Sequence, residues 1–174
     1  LYDVLKEVHS EKPWFEWPEA LRDRHPEAIE AAMQKYMPNI RGRIVNQVRF
    51  QRDWMILRHY ATQKGVKLFG DLPIFVAHDS VDVWVHPHLF KHDVVAGVPP
   101  DYFSEEGQRW GTMLYDWDAH RKEDWTWWRM RMARSCGLFD ILRIDHFRGF
   151  ESAWAIPKDD ENAINGTWIE GPSD

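Results

Sequence analysis

The sequence LRIDHFRGF at residues 142–150 is the most informative stretch of the chain, because it places an arginine two residues before an aspartate. The apolar run that leads into it predicts a buried strand over residues 138–145, and side chains two apart on a strand point to the same face. Arg143 and Asp145 are therefore predicted to lie side by side, with the guanidinium keeping the carboxylate ionised and oriented. Such a carboxylate can attack a sugar carbon. Taken alone, however, an Arg-x-Asp triplet more often forms a structural ion pair.

A second predicted strand, at residues 66–71, ends in another carboxylate, Asp71. Residues 125–137, which precede the strand that ends at Asp145, have helical spacing. The order strand, excursion, helix, strand predicts a βαβ unit with two parallel strands, and parallel strands carry their chemistry at their carboxyl ends. Pro73 is expected to prevent the first strand from continuing past Asp71.

The rest of the chain is predicted to be helical at the start and irregular in the middle. Apolar spacing predicts helices at residues 1–8, from Pro26 to a stop at Pro38, and over a longer stretch ending near Gly65. Residues 77–118 mix His, Asp, Pro, Gly and aromatic residues with little periodicity, so an irregular insertion is expected there. A loop of that length inside a domain is usually functional.

The composition limits the classes of function. The 174 residues are 44% hydrophobic, which suffices for one ordinary core, and the net charge of -6 argues against nucleic acid as a partner. The single cysteine excludes an internal disulfide, and no apolar run is long enough for a membrane span, so a cytoplasmic protein is expected. Eleven tryptophans suit stacking on sugar rings, although packing remains the commoner role of any one of them.

Metal and nucleotide sites are not expected. His86 and His88 flank a proline without the carboxylate or thiolate neighbours that a zinc site requires. The sequence also lacks a glycine pattern for binding phosphate. We therefore predict no cofactor and no metal ion.

Four ordered motifs resemble the amylomaltases, the 4-α-glucanotransferases or disproportionating enzymes of glycoside hydrolase family 77. These motifs are GDLPIFVAHDS at 70–80, AGVPPDYFS at 96–104, GQRWG at 107–111 and RIDHFRGF at 143–150. The resemblance covers essentially the whole chain. It favours a catalytic role for Asp145 over a structural ion pair. It implies an α/β fold, part of a (β/α)8 TIM barrel of the α-amylase type with an inserted subdomain and a lid loop.

The resemblance also implies an activity. Segments of α-1,4-glucan would be transferred between maltooligosaccharides with retention, through a covalent glycosyl-aspartate, and glucose or maltose would serve as acceptor. Residues 1–174 would form part of the catalytic barrel, with strands near 66–71 and 138–145, the insertion at 77–118, and the other barrel strands outside this chain. No nucleic acid or membrane is expected as a partner, and the oligomeric state is left open.

The matching motifs assign roles to individual residues. Asp145 resembles the nucleophile, Arg143 its orienting partner, and Asp71 a residue that hydrogen-bonds sugar hydroxyls. His146 would support the site from just beyond the nucleophile; taken alone, it would be an ordinary histidine at a strand end. Five further substrate-binding residues are predicted in or beside the lid segment, namely Asp101, Tyr102, Phe103, Gln108 and Trp110.

The lid has a physical rationale. Two prolines stiffen its entrance, Gly107 and Gly111 allow hinge-like geometry, and its aromatic rings would favour a stacking sugar over water. The alternative is that these aromatic side chains only anchor a long insertion.

The sequence departs from the family pattern in three places. Thr112-Met113 stands where the family usually has Asn-Pro. Between Phe90 and Val94 the chain is shorter by roughly half a dozen residues; we favour an omitted surface turn over a true deletion. The acid/base glutamate of the family falls beyond residue 174, and none of the three downstream glutamates (Glu151, Glu161 and Glu170) matches its position. Because retaining chemistry needs two carboxyl groups about 5 Å apart, this chain alone is expected to be inactive.

Two alternatives to the transferase remain open. One is an α-glucan hydrolase of the same barrel class, which the transferase-like lid at 98–111 disfavours. The other, for the isolated chain, is a non-catalytic α-glucan-binding piece. Product analysis separates the first alternative from transfer, and the response of turnover to Asp145→Asn separates the second.

Overall fold

The computed structural model describes residues 1–172 and divides the chain into two compact units, residues 1–68 and the chain from Phe69 onward. The first unit is helical. Its helices are α1 (Tyr2–Val8), α2 (Glu19–Arg22), α3 (Pro26–Lys35) and α4 (Met37–Gln63), with a 3-10 turn at Trp14–Glu16. All three predicted helices are present, but Pro38 lies in the first turn of α4, where a missing N–H costs nothing.

The second unit is built on a parallel pair of strands, β1 (Phe69–Pro73) and β5 (Ile141–Asp145). Asp71 pairs with Arg143 in the register, and Pro73 pairs with Asp145. The prediction of a parallel pair is confirmed. The expectation that the first strand ends at Asp71 is wrong: among the described residues β1 pairs with β5 only, so the missing N–H of Pro73 can face away from the ladder.

A five-stranded antiparallel sheet forms the rest of the second unit, with the order β2-β4-β3-β6-β7. Its strands are β2 (Val76–Ala77), β3 (Phe90–Val98), β4 (Gln108–Tyr115), β6 (Ser152–Pro157) and β7 (Thr167–Glu170). The prediction that residues 77–118 are irregular is therefore wrong, because most of β3 and β4 pair with each other as a hairpin.

The β3–β4 hairpin contains a bulge at the place where the sequence is short. Lys91 pairs with Leu114 and Val95 pairs with Met113, so four steps along β3 match one step along β4. At the other end, residues 99–107 connect the two strands. Gly107 has a φ of +68°, and a Cβ there would lie 2.4 Å from the Val98 carbonyl oxygen, so this position requires glycine.

Three α-helices belong to the second unit: α5 (Val81–Val85) lies between β2 and β3, whereas α6 (Trp117–Lys122) and α7 (Thr126–Leu138) lie between β4 and β5 and connect the two sheets. Asp116 caps α6 by accepting the Ala119 amide at 3.0 Å, and α7 leads into β5. Tyr115, at the end of β4, is fully buried among the rings of this layer. Over residues 1–172, no helix combines the length and the apolar character that crossing a bilayer requires.

Candidate active site

Arg143 lies between two carboxylates at the carboxyl ends of β1 and β5. Its Nη1 donates to Asp71 Oδ2 at 3.2 Å, and its Nη2 donates to Asp145 Oδ1. Parallel pairing produces this arrangement, because it sets Asp71 opposite Arg143 while Asp145 follows two residues later on the same face. Within residues 1–172, Arg143 holds Oδ1 of Asp145, whereas Oδ2 accepts no hydrogen bond.

A cavity of about 170 Å³ opens beside Asp145. Its wall is formed by residues from three elements and the connections after them: Pro73, Ile74, Phe75, Trp110, Thr112, Asp145 and His146. Most of this surface is apolar, with the carboxylate at one side. An apolar wall with a few polar groups is the usual form of a site that orients a small ligand.

His146 follows Asp145 in a left-handed conformation with a φ of 52°. Its ring contacts Trp110 edge to face at a centroid distance of 4.8 Å and lies 6.0 Å from the Phe75 ring. Burial lowers the pKa of His146 from its ordinary value, with Asp145 opposing the shift and Arg148 adding to it. The imidazole is therefore neutral at pH 7 and fills the cavity wall without adding charge.

The turn after Asp145 packs tightly against the chain that leaves β1. A Cβ at Gly149 would lie 2.8 Å from Ile74 Cδ1 and 3.1 Å from Phe75 Cζ. Only glycine permits this approach without displacing a buried neighbour. The position of the Ile74–Phe75 segment is thus coupled to the turn that carries His146.

The predicted lid residues separate into two groups. Trp110 lines the cavity, and its Nε1 donates to the Gln108 side chain at 3.0 Å. Both residues belong to β4 rather than to a loop. Gln108 thus orients the Trp110 ring.

The other lid residues lie in the connection between β3 and β4. Tyr102 and Phe103 are 95% and 92% exposed and contact each other edge to face. Asp101 Oδ1 accepts the amides of Phe103 and Ser104, both at 2.9 Å. One oxygen of Asp101 is therefore used to shape the turn that presents the two rings.

The described residues offer no metal site. No group of three or more His, Cys, Asp or Glu side chains in residues 1–172 is arranged to hold an ion. His86 and His88 contact each other edge to face at 6.3 Å, and His88 pairs with Glu123 at 2.6 Å.

Sequence reasoning missed several residues of this site. Ile74 and Phe75 lie in one of the matching motifs, beyond the predicted end of the strand, and Thr112 lies at a departure from the family pattern; the sequence assigns none of them a role. The hydroxyl oxygen of Thr112 is buried without a hydrogen-bond partner among residues 1–172. Trp110 and Thr112 are two residues apart on β4, so the prediction of a strand over these residues would have placed them on one face.

Comparisons with known proteins agree with the geometry. A family model described as Glyco_hydro_77, 4-alpha-glucanotransferase, matches residues 1–174. A 4-alpha-glucanotransferase of Aquifex aeolicus is 43% identical over 178 residues, covering 99% of this chain and 36% of that protein. The 4-alpha-glucanotransferase of Thermus thermophilus is 43% identical over 180 positions, with 100% and 36% coverage.

Solved structures agree as well. The amylomaltase from Streptococcus agalactiae, in complex with acarbose, superposes with a TM-score of 0.94 at 40% identity, over 98% of this chain and 36% of that one. The amylomaltase of Corynebacterium glutamicum, at 21% identity and a TM-score of 0.65, has a similar fold over 69% of this chain and 17% of that one. This chain spans about a third of the length of the curated relatives it matches. It belongs to the 4-alpha-glucanotransferase family, glycoside hydrolase family 77.

Proposed function

We propose that this chain supplies the nucleophile-bearing part of an enzyme that transfers α-1,4-glucan segments between maltooligosaccharides. The observation that carries the proposal is the Arg143 guanidinium held between Asp71 and Asp145 at one edge of the parallel pair. The complex of the Streptococcus agalactiae amylomaltase with acarbose supports an oligosaccharide as the ligand. The activity and its substrates are proposed for the polypeptide that carries these residues.

The proposed reaction is a double displacement with retention. In the first step Asp145 Oδ2 bonds to the anomeric carbon while the bond to the leaving oxygen breaks, and a carboxylic acid protonates that oxygen. In the second step the same acid, now a carboxylate, takes the proton of an acceptor's 4-hydroxyl. That oxygen bonds to the anomeric carbon, and Asp145 leaves as a carboxylate.

Arg143 has a defined part in this sequence. By donating to Oδ1 it fixes the carboxylate plane and leaves Oδ2 to attack. Asp71, on the other branch of the guanidinium, is proposed to accept sugar hydroxyls. The acid/base carboxyl is proposed to come from outside residues 1–174, on a further strand of a (β/α)8 barrel of which β1 and β5 are two members.

The lid residues are proposed to exclude water and to bind sugar. Trp110 already forms cavity wall, and Gln108 orients it. Tyr102 and Phe103 present exposed rings on a turn shaped by Asp101, which suits stacking against the acceptor, with glucose or maltose as the proposed acceptors. His146 is proposed to hold the Trp110 ring beside the nucleophile.

A cytoplasmic location is also proposed. The one cysteine, Cys136, is exposed and free, which suits a reducing compartment. Plant relatives in the same family are named chloroplastic/amyloplastic, so the compartment is expected to vary with the organism.

The test is product analysis of the polypeptide carrying this chain, incubated with maltotriose. Transfer predicts shorter and longer maltooligosaccharides with nearly constant reducing ends, whereas hydrolysis predicts reducing ends that grow with every cleavage. Asp145→Asn is expected to lower kcat by about 10⁴-fold or more, since it removes the attacking group. Asp159→Asn, at an exposed position, is the control. Turnover that survives Asp145→Asn would refute the assignment.

A further inference from the structure

The chain that leaves β1 is held by a side chain that the reaction does not use. After Pro73, Ile74 and Phe75 turn inward, being 2% and 7% exposed, and they form the cavity wall that faces Asp145 and His146. A buried carbonyl such as that of Ile74 requires a donor. Donors for the Pro73 and Ile74 carbonyls come from outside the two strands.

Arg131, on α7, supplies those donors. Its Nη2 donates to the Pro73 carbonyl at 2.6 Å, and its Nη1 donates to the Ile74 carbonyl at 3.0 Å. Nη1 also lies 3.2 Å from the Tyr115 hydroxyl, which itself donates to the Ile74 carbonyl at 2.6 Å. Two successive peptide groups are thus fixed by one planar guanidinium and one buried phenol.

The guanidinium is itself held in place. It lies over the rings of Trp127 and Trp128, with its central carbon 5.2 Å and 5.3 Å from their centroids. No carboxylate among residues 1–172 forms an ion pair with Arg131, so its hydrogen bonds go to neutral oxygens. These contacts with two tryptophan rings and two backbone carbonyls are not those of a surface arginine that only contacts water.

We infer that Arg131, with Tyr115, is a positioning residue for the cavity wall beside the nucleophile. Its hydrogen bonds fix the Pro73–Ile74 segment. Ile74 and Phe75 pack in turn within 2.8 Å and 3.1 Å of where a Cβ of Gly149 would lie, and Phe75 meets His146. The position of α7 is thereby transmitted to the turn that follows Asp145.

This inference deepens the proposed function and rests on it only where transfer is measured. In the polypeptide carrying this chain, Arg131→Met is expected to lower kcat by about tenfold to a hundredfold through misplacement, with KM changing less. Arg131→Lys, which keeps the charge but not the fork, and Tyr115→Phe, which removes one hydroxyl, are expected to give smaller losses of kcat. Arg129→Met is the matched control, because Arg129 is exposed on the same helix and pairs with Asp124.

Hydrogen exchange gives a readout that does not depend on transfer. Arg131→Met is expected to accelerate exchange of the amides of residues 74–77 and 146–149 at least tenfold, whereas Arg129→Met leaves them unchanged. Accelerated exchange in a protein that does not transfer glucan would sustain the positioning role and overturn the proposed function. If Arg131→Met fails to fold, kcat and amide exchange are measured on Tyr115→Phe and Arg131→Lys instead. A kcat and exchange pattern equal to that of Arg129→Met overturns the inference.

Discussion

His120, on α6, is enclosed by aromatic side chains and is 1% exposed. Within residues 1–172, neither of its ring nitrogens has a hydrogen-bond partner. Five rings surround it at centroid distances between 5.2 and 6.5 Å, namely those of Phe90, Tyr115, Trp117, Trp125 and Trp127. Burial in this apolar enclosure lowers the pKa of His120 from 6.5 to about 4, because the imidazolium would be poorly solvated there.

Charged and polar groups near His120 offset only part of the lowering of its pKa that burial causes. The Leu89 carbonyl, Glu123 and Asp116 favour the charged ring, while His88 disfavours it. The Leu89 carbonyl already accepts the Asp116 amide at 2.9 Å and does not form a hydrogen bond of good geometry with the imidazole. Burial therefore remains the dominant cause.

The effect on stability has a definite sign. The unfolded chain binds a proton at His120 with a pKa near 6.5, and the folded chain does so only near 4. The contribution of the neutral His120 to the free energy of unfolding is therefore present above pH 6.5 and is lost as the pH falls from 6.5 to 4. The full difference corresponds to roughly 3 kcal/mol of unfolding free energy, and about 2 kcal/mol is already lost at pH 5.

The perturbation is His120→Phe, which replaces the ring by one that cannot be protonated. We expect the unfolding free energy at pH 7 to stay equal or to rise by about 1 kcal/mol, since two unpaired nitrogens are removed. Between pH 6.5 and 4.5 the variant is expected to lose about 2 kcal/mol less than the wild type.

Urea unfolding at several pH values, followed by tryptophan fluorescence, measures both quantities. His25→Gln, at an exposed position, is the control. His78 and His146 also have pKa values lowered by burial, so some dependence remains in His120→Phe. A variant that loses as much stability between pH 7 and 4.5 as the wild type would refute the reasoning.

The other predictions concern packing and the exposed rings. Gly149→Ala forces a Cβ to within 2.8 Å of Ile74, so urea unfolding should show a loss of about 1–3 kcal/mol in the free energy of unfolding. Gly137→Ala, with open space around the new Cβ, should raise the free energy of unfolding by about 0.5 kcal/mol, and equal effects of the two substitutions would contradict the packing. Thr112→Val removes an unpaired buried hydroxyl and should stabilise by about 1 kcal/mol, and a clear loss would reveal a partner. Phe103→Ala should change the unfolding free energy by less than about 0.5 kcal/mol while raising KM for the acceptor.

The parallel pair was predictable because its signal is local. A short apolar run ending in Asp145, preceded by a helix, implies a strand whose neighbour is the similar run ending in Asp71. The antiparallel sheet was not predictable in the same way. In β3 the bulge between Lys91 and Val95 interrupts the period of two, so its buried residues do not alternate along the sequence.

The candidate site likewise combines features that the sequence could predict with features that it could not. Arg143 and Asp145 share a face because they are two residues apart on one strand, which the sequence shows directly. Asp71 joins them through the register between β1 and β5. Phe75 and Arg131 act through contacts between elements distant in sequence, and the sequence analysis assigned a role to neither of them. The resemblance to a family located the motifs, but it did not indicate which side chains hold them in place.

The sharing of one guanidinium by two carboxylates has a consequence for charge. The formal charges of Arg143, Asp71 and Asp145 add up to one negative charge, and His146 adds no positive charge because burial lowers its pKa. In the proposed reaction positive charge develops at the sugar ring in the transition state, so a negative site stabilises it. Once Asp145 is esterified its negative charge is gone, and Arg143 keeps Asp71 as its ionic partner. The Arg143–Asp71 pair is then formally neutral, and the remaining negative charge in the proposed reaction is that of the acid/base carboxylate, which takes the proton of the acceptor's hydroxyl.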